Sequence, residues 1–457
     1  MGEAPASDGV RRPQGMFASL VHRDFLWLWV ANLGATFAMQ MAQVARGWLV
    51  YALTGSAVKL AWVMLSFLAP TLVFSLIGGV LADRVAKKWV MVWAQALNCL
   101  STLILAAIVY TGRVEFWHFI VFGLFNGTIL ALTMPARQAI IPQIVGERFI
   151  FNAMALSSAS MNLSRVLGPT AAGGVIAWVA GGDTGSREGV GIVFALIALL
   201  YGVASLATGL IGNRGDPSRA ERGTVGEEVF SGLGYIAATP TLRALFLLAF
   251  VTLLFGMPMQ FLMPAFNEAA LGGGPDDLGL LMSAMGGGAI VGSLLLARMG
   301  ETRSKGWLML GSALAWSVSM AGFAAAAGVA AALPLAVASG FFSSAFMSMN
   351  NSLIQLSVGD EMRGRVMSVV MMMWGLMPIG VVPISFLAEA IGIAGALEAS
   401  ALVLALVTLA ATMVLPEIRR IDTGYLASED VAPVSSRPVG TSQAADERSD
   451  SRLPPRP

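Results

Sequence analysis

Long apolar runs without charge alternate with short charged loops along most of this chain. Between Gly306 and Gly359 there are 54 residues without a single Asp, Glu, Lys, Arg or His. A helix needs about 20 apolar residues to cross a bilayer, so this stretch has room for two crossings and a turn. The same pattern predicts twelve membrane-spanning helices, at about 25–52, 60–82, 89–111, 116–134, 152–180, 190–212, 242–265, 278–298, 306–327, 331–356, 365–390 and 395–415.

The composition excludes a soluble protein. Hydrophobic residues make up 56% of the 457 residues and charged residues only 12%, with a mean hydropathy of +0.74, whereas soluble domains have about 25% charged residues. The basic residues are scattered over loops and the net charge is only +1, so nucleic acid is not an expected partner. The expected partner is a lipid bilayer, and the fold class is an all-α polytopic membrane protein.

The distribution of Lys and Arg predicts the orientation of the spans. If the N-terminus is cytoplasmic, the cytoplasmic segments carry nineteen Lys and Arg residues, and the outer loops carry only Lys59, Arg113 and Arg187. Cytoplasmic loops are enriched in basic residues. Both termini are therefore predicted to lie inside.

The longest internal loop divides the chain into two halves. Residues 1–24 form a cytoplasmic N-terminal segment, 25–212 one six-helix half, 213–241 a cytoplasmic central loop, 242–415 a second six-helix half, and 416–457 a polar tail predicted to be disordered. In the central loop Val229, Leu233 and Ile236 recur at helical spacing, which predicts a short amphipathic helix on the membrane surface.

Two loops at equivalent positions of the halves have similar sequences. Residues 141–148 and 354–363 each begin with apolar residues and a Gln, continue with Val-Gly, and end with an acidic residue followed by an Arg. An Asn lies in the span before each loop, Asn126 in the first half and Asn350 in the second. Parallel repeats of this kind are typical of transporters, in which a central cavity lies between the halves.

The loop between the second and third spans contains an acidic residue, Asp83, that is suited to cap a helix. Asp83 can accept hydrogen bonds from the free N–H groups of a helix start and meets the positive end of its dipole. We expect it to cap a helix across the interface of the halves, near Arg363. The alternative is a generic basic loop with a local capping residue.

This loop resembles the signature of the major facilitator superfamily at Gly79, Leu81, Ala82, Asp83, Arg84, Lys87 and Lys88, and departs from it at Ala86, where the family usually has Gly. Residues 48–56, 165–174 and 363–367 are similar to the drug and siderophore exporter branch, which includes macrolide efflux proteins and the enterobactin exporter. The resemblance implies a gating motif of Gly79, Asp83, Arg84, Lys87, Lys88, Arg137, Arg363 and Arg365. It also implies a motif of the fifth span that is associated with antiport, at Arg165, Gly168, Pro169, Gly173 and Gly174.

The match to the family is incomplete at two places. Three residues separate Gly168-Pro169 from Gly173-Gly174, where the family has two. The family's arginine motif in the middle of the fourth span is missing, since that stretch reads Phe-Gly-Leu-Phe-Asn-Gly over residues 122–127. A proton relay through the fourth span is therefore not expected.

The resemblance implies that spans one, four, seven and ten line the cavity. Their polar residues are all uncharged, which predicts a neutral cavity that prefers apolar or weakly cationic molecules. These amides could equally bond across helices without any role in binding. They are Asn32, Gln40, Gln43, Asn126, Gln260, Asn350, Asn351 and Gln355.

Two arginines lie within the predicted spans. Arg165 falls well inside the fifth span, where a charge is costly, so it should pair with a carbonyl or a loop carboxylate or face water. Arg46 follows Phe25 by 21 residues, which is about 31 Å of helix and a full membrane thickness. Arg46 is therefore expected at the outer interface, with its side chain reaching into the headgroups.

The function indicated is a secondary transporter that exports small apolar or amphipathic molecules by alternating access. The resemblance implies the proton gradient as energy source, no cofactor or metal, a monomer, and a bacterial inner membrane location. An importer or uniporter of the same fold remains an alternative. A membrane-embedded enzyme is disfavoured, because the sequence has no ATP-binding loop, no metal-ligand cluster and no nucleophile–base pair.

Overall fold

The computed structural model describes residues 18–146, 149–180, 187–215, 225–298, 305–415 and 418–419. Apart from residues 418–419, the predicted disordered tail lies outside this part of the chain. After a 3-10 turn at Ala18–Val21, the described residues form fifteen α-helices: α1 Arg23–Thr54, α2 Ala57–Arg84, α3 Lys87–Tyr110, α4 Phe116–Val145, α5 Ile150–Ala180, α6 Arg187–Gly209, α7 Val225–Ala238, α8 Pro240–Gly256, α9 Pro258–Ala269, α10 Pro275–Arg298, α11 Lys305–Ala324, α12 Val329–Leu356, α13 Asp360–Gly375, α14 Pro378–Ile391 and α15 Ile393–Val414.

These helices supply the twelve predicted membrane spans. Eleven stretches of the described chain are long and apolar enough to cross a bilayer, with α8–α9 and α13–α14 each counted as one. The 28-residue helix α2 is the twelfth. The fold is therefore an all-α membrane protein, with helices α1–α6 in the first half and α8–α15 in the second.

The seventh and eleventh spans are broken, whereas the sequence analysis predicted continuous helices at 242–265 and 365–390. Each break precedes a proline, Pro258 or Pro378, which becomes the first residue of the next helix. Proline lacks an N–H and clashes with the carbonyl four residues earlier, so it ends or kinks a helix. At the first break the Phe255 carbonyl accepts a hydrogen bond of 2.8 Å from Ser400 Oγ on α15, which satisfies a polar group inside the membrane.

The fourth span is longer than predicted. It was expected to end at residue 134, but α4 continues to Val145. The polar residues Arg137 and Gln138 ended the apolar run in the sequence, although they do not end the helix. Arg137 is consequently a half-buried helix residue and not a loop residue.

The amphipathic helix expected in the central loop is present as α7. Ile236 is buried in the core of the second half, while 75% of Phe230 is exposed. A Cβ atom on Gly232 would lie 2.8 Å from the Arg365 carbonyl, so α7 packs closely against α13. Arg365 Nη1 also donates a 3.0 Å hydrogen bond to Ser231 Oγ.

The hydrophobic cores differ between the two ends of the molecule. At the end where α1 meets α2, one cluster joins residues of both halves, such as Tyr51 and Phe119 of the first with Phe266 and Ala332 of the second. At the opposite end each half has a core of its own. We call the first the closed end and the second the open end.

Candidate functional site

Helices α5 and α10 form a seam between the halves that reaches the closed end. A Cβ atom on Gly173 would overlap with the Pro275 carbonyl oxygen and lie 3.1 Å from Gly279 Cα. Further along, the hydroxyl groups of Thr170 and Ser283 hydrogen-bond to each other. The backbones of the two halves are therefore in direct contact along this seam.

A carboxylate forms a second link across the closed end. Glu389 on α14 accepts hydrogen bonds from Ser56 Oγ and from the Val58 N–H, the latter at 3.3 Å. Ser56 is the N-cap residue of α2, so Glu389 of one half sits at a helix start of the other. Nearby, a Cβ atom on Gly47 of α1 would lie 2.8 Å from Pro264 Cγ of α9.

The residues of the fifth-span motif contact two different helices, α1 of the same half and α10 of the other half. Gly168 faces its own half, where a Cβ atom would lie 2.7 Å from Gln40 Cβ. Pro169 and Gly173 face α10 of the other half, while a Cβ atom on Gly174 would meet nothing within 4 Å. Gly173, but not Gly174, is thus needed for the close approach of the halves.

Arg165 lies near the middle of α5, beside the same seam. Its backbone carbonyl packs on α10, where a Cβ atom on Gly286 would lie 3.1 Å away. Its side chain is exposed. Among the described residues, the guanidinium has no hydrogen-bond or ion-pair partner. Of the two roles expected for this residue, pairing is not seen among the described residues, and facing the cavity stays a prediction.

We expect Arg165→Leu to lose most transport and Arg165→Lys to keep much of it. A cation inside a membrane costs at least about 2.5–3.5 kcal/mol, and Lys retains the charge while losing only the forked geometry. The measurement is efflux of an amphipathic fluorescent dye at equal protein abundance. Arg113→Leu, which removes an exposed arginine between α3 and α4, is the matched control. Normal efflux by Arg165→Leu would contradict a role for the charge.

Two amide side chains stand out among the expected cavity residues. Asn32 of α1 and Asn350 of α12 are 5% and 3% exposed, and the Oδ1 atom of each has no hydrogen-bond partner among the described residues. A buried polar atom without a partner is costly, so a ligand or water normally satisfies it. Contact of these two amides with a transported molecule stays a prediction.

The other amides have different surroundings. Asn126 Oδ1 accepts a 3.0 Å hydrogen bond from Ser101 Oγ of α3, which is the cross-helix alternative considered above. Gln40 packs on Gly168. Gln43, Gln260 and Asn351 are half-buried, and Gln355 is exposed.

Lys87 and Lys88 of the loop motif contact the segment that follows α6 in their own half. The Lys88 ammonium donates to the Ile211 carbonyl at 2.6 Å, and the Lys87 N–H donates to the Gly215 carbonyl at 3.2 Å. Lys87 is buried and Arg84 is exposed. The surroundings of Gly79 and of the Asp83 side chain lie outside the described part. The expected helix cap by Asp83 therefore stays a prediction. Arg363 lies in the first turn of α13.

Arg46 does not lie at the outer interface, so that expectation was wrong. Helix α1 extends to Thr54, which places Arg46 about 12 Å before the helix end. Its guanidinium lies 5.2 Å from the ring centre of Phe67 and lines a small cavity inside the first half, together with Asn126 and Tyr201. The expected depth of Arg46 was counted from Phe25 as the assumed start of the membrane span. The count could not show that the helix continues after Arg46, nor which side of the helix the residue occupies.

Comparison with known proteins identifies the family. The family model for transmembrane secretion effectors, MFS_3, matches residues 14–437. The chain belongs to this family. Its members are transporters, and the resemblance to the major facilitator superfamily is thereby confirmed.

Relatives of the chain are named for efflux or siderophore transport. Multidrug efflux pump Tap of Mycolicibacterium fortuitum is 25% identical over 391 residues, which cover 83% of this chain and 92% of the relative. The staphyloferrin A transporter of Staphylococcus aureus is 23% identical, covering 77% and 86%. Macrolide efflux protein A of Streptococcus pyogenes is 22% identical, covering 81% and 90%.

Solved structures confirm the fold of this family member. A bacterial homolog of the human lysosomal transporter Spinster, inward-facing and unoccupied, superposes with a TM-score of 0.70 at 14% identity, covering 87% of this chain and 98% of that one. A mutant of the nucleoside transporter NupG gives 0.66 at 15% identity, covering 85% and 99%.

Proposed function

We propose that this protein exports small apolar or amphipathic molecules, of the drug or siderophore kind, by alternating access driven by the proton gradient. We further propose that it acts as a monomer in the bacterial plasma membrane with both termini in the cytoplasm. The positive-inside distribution of Lys and Arg supports this orientation. In that orientation the open end faces the cytoplasm, where an exporter collects its substrate.

The observation that carries this proposal is the difference between the two ends. The halves share one core at the closed end and keep separate cores at the open end. Rocking of two preformed halves about a central site would expose that site to each side in turn. Asn32 and Asn350 supply one buried oxygen without a hydrogen-bond partner from each half, and we propose that these oxygens bind the transported molecule.

The motif of the fifth span, which the resemblance associates with antiport, supports the proton gradient as energy source.

A reversible crosslink across the seam tests alternating access. In a Cys99→Ala background, Thr170→Cys with Ser283→Cys should form a disulfide upon oxidation, since the hydroxyls that the thiols replace are in contact. We expect oxidation to stop transport of ethidium in proteoliposomes and a reductant to restore it.

A pair within one half provides the control for this crosslink. The hydroxyls of Thr36 and Ser164 are 3.1 Å apart, on α1 and α5. Crosslinking Thr36→Cys with Ser164→Cys should leave transport unchanged, because these helices move together. Continued transport with the seam pair fully crosslinked would rule out rocking at this seam.

Dye accumulation in cells tests direction and energy source. Cells that express the protein should accumulate less ethidium than cells without it, and an uncoupler should abolish the difference. Greater accumulation would instead support the importer, and an uncoupler-insensitive difference would exclude the proton gradient.

A further inference from the structure

The first half contains a small polar cavity apart from the seam between the halves. Residues of helices α1, α2, α3, α4 and α6 surround this cavity. Its volume, counted as the space open to the centre of a water molecule, is about 60 Å³. This is small compared with drug-sized pockets of about 300–1,000 Å³. The polar residues that line it are Arg46, Asn98, Thr102, Asn126 and Tyr201.

The charge in this cavity has no counter-charge nearby. Among the described residues, Arg46 has no ion-pair partner, and its guanidinium lies 5.2 Å from the centre of the Phe67 ring. The acidic residues between positions 25 and 212 fall between the membrane-spanning helices or in their first or last turns; they are Asp83, Glu115, Glu147, Asp183 and Glu188. No carboxylate on the described helices of the first half therefore reaches the depth of Arg46.

The polar groups around Arg46 are mainly available as donors. The oxygen of Asn126 is already bonded by Ser101 Oγ at 3.0 Å, which leaves its NH₂ group free to donate. Thr102 and Tyr201 supply hydroxyl groups, and Asn98 supplies a second amide. A guanidinium, with its planar fork of donors, matches the geometry of a carboxylate.

We propose that this cavity binds a small anion through Arg46. The anion is a carboxylate or a halide, and it can come from two sources. One is the acidic group of an amphipathic transported molecule, which rests on the proposed function. The other is a free inorganic anion, which would neutralise Arg46 whatever the protein transports. The volume excludes a whole drug-sized molecule and admits only a small group such as a carboxylate or a single ion.

Anion-dependent thermal stability of the purified protein tests this site without any transport assay. Sodium acetate or sodium chloride should raise the unfolding temperature in a saturable manner, because a ligand that binds only the folded state stabilises it. The same salt series is run on wild type and on Arg46→Gln, so that a general effect of ionic strength appears in both proteins. Acetamide has the shape of acetate without its charge and should have no effect.

Variants of Arg46 show whether the effect arises in this cavity. Arg46→Gln should raise the apparent Kd for the anion by about tenfold or more, since it removes a charged hydrogen-bond donor. Arg46→Lys should bind with intermediate affinity, and it keeps the proposal testable if Arg46→Gln does not fold. Arg113→Gln, which alters an exposed loop arginine, should respond as the wild type does.

The pattern of responses identifies the source of the anion. Tighter binding of acetate than of chloride would favour the acidic group of a transported molecule, and the reverse would favour a free halide. Equal responses to acetate and acetamide, an unaltered response in Arg46→Gln, or no saturable response to either anion would overturn the proposal. None of these results depends on whether the protein exports, imports or couples to protons, so the site and the proposed function can fail separately.

Discussion

Replacement of Gly173 by valine is expected to abolish most transport while the protein stays folded in the membrane. The new Cβ atom would overlap with the Pro275 carbonyl oxygen on the facing half. Backbone cannot move aside as a flexible side chain does, and overpacking of this kind costs about 1–3 kcal/mol. Because the clash exists only when the halves meet at the closed end, the cost falls on that conformation alone. Its population should drop by about 5–150-fold relative to the opposite conformation.

The neighbouring glycine provides the control. Gly174→Val introduces the same side chain into the same helix, at a position where a Cβ atom meets nothing within 4 Å. Transport of ethidium should be nearly normal in Gly174→Val and largely lost in Gly173→Val. The Thr170→Cys, Ser283→Cys pair should also crosslink less in the Gly173→Val background. Equal transport by the two variants would mean that the seam does not need to close.

The number and kind of helices could be predicted from sequence because hydropathy and length constrain them strongly. Lipid offers no hydrogen bonds to the backbone, so an apolar run of sufficient length must be a helix. The amphipathic helix α7 was also predicted correctly, from Val229, Leu233 and Ile236 at helical spacing after Glu227 and Glu228. Pro258 and Pro378 marked the two breaks, but Pro70, Pro135 and Pro334 lie inside continuous helices. Tertiary packing, which the sequence does not display, decides between these outcomes.

The site was less predictable, because it depends on which side of a helix each residue occupies. Asn126 and Asn350 lie at equivalent positions of the two halves in sequence. In the structure the oxygen of Asn126 is bonded by Ser101, while that of Asn350 is buried without a partner among the described residues. Arg46 shows the same limit, since its depth along α1 said nothing about the cavity behind it. Only the packing of neighbouring helices separates a binding residue from a structural one.

Glycine contacts reveal a correspondence between the halves that the loop sequences only suggested. In the first half, a Cβ atom on Gly127 of α4 would lie 2.9 Å from the Phe67 carbonyl carbon on α2. In the second half, a Cβ atom on Gly288 of α10 would lie 2.8 Å from the Val337 carbonyl carbon on α12. The second and fourth spans of each half thus pack backbone to backbone. Without a hydrophobic force between helices in lipid, such close packing is a main source of association.

We therefore expect Gly288→Val to destabilise the second half by about 1–3 kcal/mol or more, because the valine must push α10 away from α12. Unlike the change at Gly173, this clash lies within one half and persists in every conformation. The expected result is a lower unfolding temperature in detergent and less protein in the membrane. Gly287→Val is the matched control, since a Cβ atom there meets nothing within 4 Å. If both variants unfold at the same temperature, the α10–α12 contact does not hold this half together, and its stability must come from the apolar core around Phe346 and Trp316.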